Sequence, residues 1–123
     1  MPVTYLVAPH QVDVSATGFL TEADAVNLVS ALATDPTLET ESSMLFDAFE
    51  ADADSSPEEL ARIAALFATL KPYLVRIAVV AGSDLMFGLA REYSVYAEQV
   101  GLDVRPFRDR ATAQGWLAMA MAH

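Results

Sequence analysis

The chain has 123 residues, a formal net charge of −10, 54% apolar residues and no cysteine. The missing cysteine excludes disulfides, thiol catalysis and cysteine-bound zinc. The negative charge opposes bulk nucleic acid and anionic membranes, which carry the same sign. A single domain spanning residues 1–123 is expected at this length. No apolar run reaches the roughly 20 residues of a membrane span, and Met1-Pro2 lacks the basic region and cleavage pattern of a signal peptide. A cytoplasmic protein that is not integral to a membrane is the expectation. Eight acids and no base lie between Glu39 and Glu59, whereas all seven basic residues lie between Arg62 and Arg110.

Val3 to Val7, bounded by Pro2 and Pro9, reads as a strand. Val12 to Thr17 alternates cleanly, with Val12, Val14 and Ala16 on one face and Asp13, Ser15 and Thr17 on the other. With Ala8-Pro9-His10-Gln11 as the turn, the two form a hairpin. Thr21 caps a helix running to about Ala33, with Asp24 placed to cap reciprocally. Its apolar stripe is Val26, Leu28, Val29, Leu32 and Ala33. Ser43 to Phe49 is a third strand, and Glu50 to Ser55 reads as an acidic loop. Ser56-Pro57-Glu58-Glu59 combines an N-cap, a first-turn proline and a capping-box glutamate. Leu60, Ile63, Ala64, Phe67 and Leu70 continue that helix to Lys71-Pro72.

Val75 to Ala81 is a fourth strand and Gly82-Ser83-Asp84 a turn, with Ser83 or Asp84 as N-cap. The following helix runs from Leu85 to Val100 and ends at Gly101. Its core stripe is Met86, Leu89, Ala90, Tyr93, Ala97 and Val100, with Phe87, Gly88 and Tyr96 off it. Leu102 to Phe107 is the last strand, and Pro106 makes it an edge because proline donates nothing to a ladder. Asp109 opens a final helix carrying Trp116 and Leu117. Strands alternating with helices imply right-handed parallel crossovers. Polar residues at alternate strand positions imply helices mainly on one face, the other left partly open.

Catalytic constellations do not assemble from these residues. A calcium loop begun at Asp52 has Pro57 at the sixth position and Ile63 at the twelfth, and one begun at Asp47 has Glu58 at the twelfth but Asp52 where the sixth-position glycine is required, so neither register fits. His10 lies in the hairpin turn and His123 is the last residue, so neither a serine relay nor a zinc site is expected. Gly82-Ser83-Asp84 occupies a position where α/β sheets bind ligands, yet it has neither phosphate-binding glycine pattern. No metal, no cofactor and no enzymatic activity are expected. Arg105, Arg108 and Arg110 cluster near the last helix as a candidate anion site or ion-pair partners of the acidic loop.

Val75-Arg76-Ile77-Ala78-Val79-Val80, Ser83-Asp84-Leu85-Met86-Phe87-Gly88-Leu89-Ala90-Arg91, Val104-Arg105-Pro106-Phe107-Arg108-Asp109 and Trp116-Leu117 together resemble the SpoIIAA-like branch of the STAS-domain superfamily. Gly18-Phe19-Leu20-Thr21 and Leu45-Phe46-Asp47 extend the resemblance upstream. It implies an α/β fold with a mixed five-stranded sheet: an antiparallel first strand, then a parallel βα superhelix with about four helices. It further implies a non-enzymatic regulatory or scaffold module that docks a protein partner. Anti-sigma-factor antagonists of this superfamily carry a phosphorylatable serine in the region matching Asp54-Ser55-Ser56-Pro57, so Ser55 and Ser56 are the candidate phosphorylation positions. Pro57 departs from that pattern, and Asp54, Glu58 and Glu59 oppose a phosphate that the helix dipole would favour. Related CRAL-TRIO proteins bind lipids between helix and sheet. This makes a carrier or sensor of a small apolar ligand the alternative, with Met86, Phe87, Tyr93 and Tyr96 as candidate groove residues for a ligand or partner. Met44, Met119 and Met121 support the same reading, and the open sheet face would admit a homodimer.

Overall fold

The structure, a computed structural model, describes residues 3–121. His123 and Met1-Pro2 lie outside the described residues. The elements are β1 (Val3–Ala8), β2 (Gln11–Phe19), α1 (Glu22–Ala33), β3 (Ser42–Asp52), α2 (Pro57–Ala68), β4 (Leu74–Ala81), α3 (Asp84–Gln99), β5 (Asp103–Phe107) and α4 (Arg110–Met121). The five strands lie in the order β1-β2-β3-β4-β5. β1 is antiparallel to β2, and every later pairing is parallel. The mixed sheet and the edge position of β5 agree with the sequence reading.

Local chemistry sets most of the boundaries. In the β1–β2 turn, Pro9 precedes His10, which adopts φ 60. Thr21 and Ser56 each form a complete capping box, with Asp24 and Glu59 respectively. The Ser83 hydroxyl accepts from the Met86 N–H at 3.1 Å, capping α3. Gly101, at φ 85, follows the end of α3 in the left-handed conformation that glycine adopts without a side-chain clash. The Asp109 carboxylate accepts from the Thr112 N–H at 2.7 Å and starts α4.

Three corrections concern length and exposure. β3 does not end at Phe49: it continues through Glu50, Ala51 and Asp52, which pair with Thr17, Gly18 and Phe19 beyond an irregularity at Ser15/Thr17. The expected acidic loop from Glu50 is therefore strand for its first half. Exposed acids on a strand that the sheet continues to hydrogen-bond look like loop residues in sequence. In α1, Val26 and Ala33 are exposed, and the buried residues are Leu28, Val29 and Leu32. The helix is rotated so that its buried line passes through Ala25 and Leu28 rather than Val26.

The two faces of the sheet carry different cores. On the first, Val12, Val14, Met44, Ile77, Val79 and Val104 meet the apolar sides of α1, α2 and α3. On the second, Leu45, Ala78 and Val80 meet Ala113 and Leu117 of α4. Helices thus lie mainly on one face, with α4 alone on the other among the described residues. Residues Ile77 to Ala81 of β4 are buried without interruption, as expected for a strand covered on both sides. Towards β2, α4 makes polar contacts. Gln114 and Gln11 exchange side-chain hydrogen bonds at 2.9 Å, and Arg110 lies 3.6 Å from Asp13 and 3.2 Å from Asp47. Beyond that edge none of the described helices covers the second face, and Leu6 of β1 is 74% exposed there.

Candidate functional site

The three helices of the first face do not fill the space over the sheet at the C-terminal ends of the parallel strands. A cavity of about 130 Å³ remains, partly open to solvent. Its floor is Met44, Phe46, Ile77 and Val79 of β3 and β4. Ala25 and Leu28 of α1, Leu60, Ile63 and Phe67 of α2, and Met86, Ala90 and Tyr93 of α3 form the walls. Leu20, Thr21, Ala53 and Ser55, in the loops that lead into α1 and α2, line the cavity where those helices begin. The lining is almost wholly apolar because each helix turns its buried stripe towards it. Small side chains at Ala25, Ala53 and Ala90 leave the space unfilled. An enclosed void of this size would cost about 3 kcal/mol, which its open mouth reduces.

At the rim, α1 and α2 are tied together. Arg62 of α2 donates from Nε and Nη2 to the two carboxylate oxygens of Glu22 at 2.9 and 2.8 Å. The Arg62 guanidinium holds the Glu22 carboxyl below its ordinary range, chiefly through these hydrogen bonds. On the cavity wall, Tyr93 has its hydroxyl oxygen buried without a hydrogen-bond partner among the described residues. Desolvation by burial pushes this phenol above its usual range. The other displaced tyrosine is Tyr5, raised by burial and by its 2.9 Å hydrogen bond to Asp35 on the far side of α1.

The candidate groove residues separate. Met86 and Tyr93 line the cavity. Tyr96 packs, half-buried, against the main core. Phe87 lies outside the cavity, half-buried near Met86 and Ala81, with the Arg108 guanidinium 5.3 Å from its ring centroid. Ser55 is on the cavity lining, whereas the Ser56 hydroxyl is occupied as the cap of α2. Met44 lies in the floor, Met119 is exposed, and the side chain of Met121 lies outside the described residues.

The arginine cluster does not form a common anion site. Arg105 pairs with Asp103 and stacks over Trp116, Arg108 pairs with Asp84, and Arg110 pairs with Asp13 and Asp47. Arg110 thus reaches β2 and β3 rather than the acidic loop. His10 lies 3.7 Å from Glu39 at the opposite end of the sheet from the cavity mouth. Among the described residues no cluster of three or more histidines or acids could hold a metal ion, and no helix is long and apolar enough to cross a membrane.

An uncharacterized protein of the DUF3478 family from Shewanella loihica PV-4, whose crystal structure is described as having a SpoIIAA-like fold, is similar to this chain. The TM-score is 0.60, with 22% sequence identity, over 94% of this chain and 91% of that one. This chain has a SpoIIAA-like fold. No protein-family model matches the sequence, and no curated protein matches it. The SpoIIAA-like fold accounts for the hairpin, the three same-side crossovers and the return of α4, and so for where the cavity lies. Its lining was only partly legible in the sequence. Met86 and Tyr93 stood out as aromatic or flexible residues on a stripe. Ala25 could have been found by carrying the Leu28, Val29 and Leu32 periodicity one turn back, but Leu20 and Ala53 have no such signal.

Proposed function

We propose that this protein is a non-catalytic, cytoplasmic binding module that senses or carries a small apolar ligand in the cavity between α1, α2, α3 and the sheet. The observation that carries the reading is the cavity itself: about 130 Å³, partly open and walled almost entirely by apolar side chains. Concave, mostly apolar sites with few polar groups are the ordinary form of small-ligand sites. An engineered apolar cavity of about 150 Å³ is large enough for benzene, so the fitting occupant has a body of single-ring size rather than a long acyl chain. Arg62–Glu22 and the capped starts of α1 and α2 provide a firm rim. The test is a protein-observed NMR titration of the full chain with ethylbenzene. Shifts should concentrate at Ala25, Met86 and Ala90, and Ala25→Leu, which occupies the space, should abolish them while the fold persists. Absence of any response at these residues would refute the reading.

The second reading is regulation by docking a protein partner, and a specific surface favours it. Leu6 and Phe49 are 74% and 54% exposed on the second sheet face, Phe49 in a shallow pocket beside Asp109 and Arg110 at the start of α4. That face would also serve a homodimer. A Leu6→Glu, Phe49→Glu double variant should lose partner capture, or dissociate a dimer in analytical ultracentrifugation, without loss of stability. Ser55 and Ser56 remain the proposed phosphorylation positions of such a regulator; intact-mass analysis of protein from its native cell should show a phosphate that Ser→Ala at one of them removes.

A further inference from the structure

Tyr93 combines two properties that set it apart within the cavity wall. It belongs to an apolar lining, and its hydroxyl oxygen is buried with no partner among the described residues. Buried phenols usually hold a hydrogen bond, and each orphan requires a reason. Burial also keeps this phenol neutral, with a proton to donate. Two polar neighbours on the lining are engaged with each other: the Asp24 carboxylate accepts from the Thr21 N–H at 2.8 Å and from the Thr21 hydroxyl at 3.1 Å.

The charges around the mouth narrow the ligand further. Glu22 and Asp24 stand in the first turn of α1, and Glu58 and Glu59 in the first turn of α2. Asp52 and Asp54 flank the lining residue Ala53 and are exposed. The positive dipole ends of both helices therefore already face carboxylates of the chain itself. Arg62, the base on α2, is held by Glu22. An anionic ligand would meet like charge at the rim and lose its hydration against apolar walls without a cation in return.

Resting on the apolar-ligand reading above, we propose that the cavity takes an uncharged molecule with a single-ring apolar body and one oxygen acceptor, which receives the hydrogen bond of the Tyr93 hydroxyl. Fatty-acid-like and phosphorylated ligands are excluded by the same arrangement.

The experiment uses three probes of similar size, ethylbenzene, benzyl alcohol and benzoate, titrated into the full chain and into Tyr93→Phe with protein-observed NMR. Benzyl alcohol should bind the wild type roughly fivefold more tightly than it binds Tyr93→Phe, the effect of about one ordinary hydrogen bond. Ethylbenzene should bind both proteins alike, and benzoate should bind neither. No response of the cavity residues to ethylbenzene overturns the cavity reading, and this inference with it. Ethylbenzene binding together with benzyl alcohol affinity indifferent to Tyr93→Phe overturns the hydrogen bond alone. Benzoate binding at the same residues as tightly as benzyl alcohol overturns the uncharged class. The wild-type affinities of benzyl alcohol and ethylbenzene, each corrected for its water-to-octanol partition, read the same hydrogen bond without any substitution. Equal corrected affinities would also overturn it.

Discussion

Tyr93→Phe should stabilise the ligand-free protein. Removing the hydroxyl breaks no hydrogen bond, because the oxygen has none among the described residues, and it relieves the desolvation of a buried polar group. That desolvation costs about 1–3 kcal/mol. The lost dispersion contacts of one oxygen atom offset a fraction of a kcal/mol, so the net gain is about 1 kcal/mol. For a chain of 123 residues this raises the thermal midpoint by about 4 °C. Thermal and urea unfolding followed by far-ultraviolet circular dichroism at pH 7 measure it directly. The advantage should widen in alkali. Burial raises the folded-state pKa of Tyr93 above the unfolded value of about 10. Proton loss above pH 10 therefore favours the unfolded chain, and wild-type stability falls there. Tyr93→Phe lacks that titration and should decline less steeply, while Tyr5, also raised, continues to titrate in both proteins. A loss of 1 kcal/mol or more at pH 7 would refute the reasoning, since it would mean that the hydroxyl already holds a partner.

Gly82→Ala should destabilise by about 1–3 kcal/mol in urea unfolding, because its Cβ would collide with the Phe49 carbonyl oxygen and lie 3.2 Å from the Phe49 carbonyl carbon. Leu117→Ala should cost about 2–5 kcal/mol, since Leu117 is fully buried between α4 and the sheet. Trp116, the one tryptophan, lies 5.7 Å from Phe107 and reports the loosening of α4 through its emission. Ser56→Ala should lose about 1 kcal/mol, whereas Ser56→Asp should lose little because aspartate also caps helices; equal losses in thermal melts would contradict the capping role.

Legibility followed the range of the interaction. Thr21, Ser56, Ser83 and Gly101 could be placed from sequence because each acts on backbone groups within four residues of itself. The edge position of β5 followed from Pro106 for the same reason. The far end of β3 was illegible: Glu50 and Asp52 are exposed acids, and only the pairing with Thr17 and Phe19 of β2 makes them strand. The open second face was legible in outline from the alternation of Asp13, Ser15 and Thr17, but its partial cover by α4 rests on Gln114 and Arg110 meeting residues about 60 to 100 positions away. The cavity was least legible. Apolar stripes indicate which residues turn inward, and they are silent on whether three helices leave a gap where Ala25, Ala53 and Ala90 converge.

The strand order β1-β2-β3-β4-β5 also bears on how the chain reaches this state. Each strand lies beside its sequence neighbour, so no pairing waits for a distant segment to arrive. Loop-closure entropy is met one crossover at a time, and the sheet can extend by accretion as the chain lengthens. Last in sequence, α4 covers Leu45, Ala78 and Val80 only after β3 and β4 are in place. A chain folded only through Phe107 would hold the five described strands while that apolar strip still faced water, and docking of α4 is what covers it.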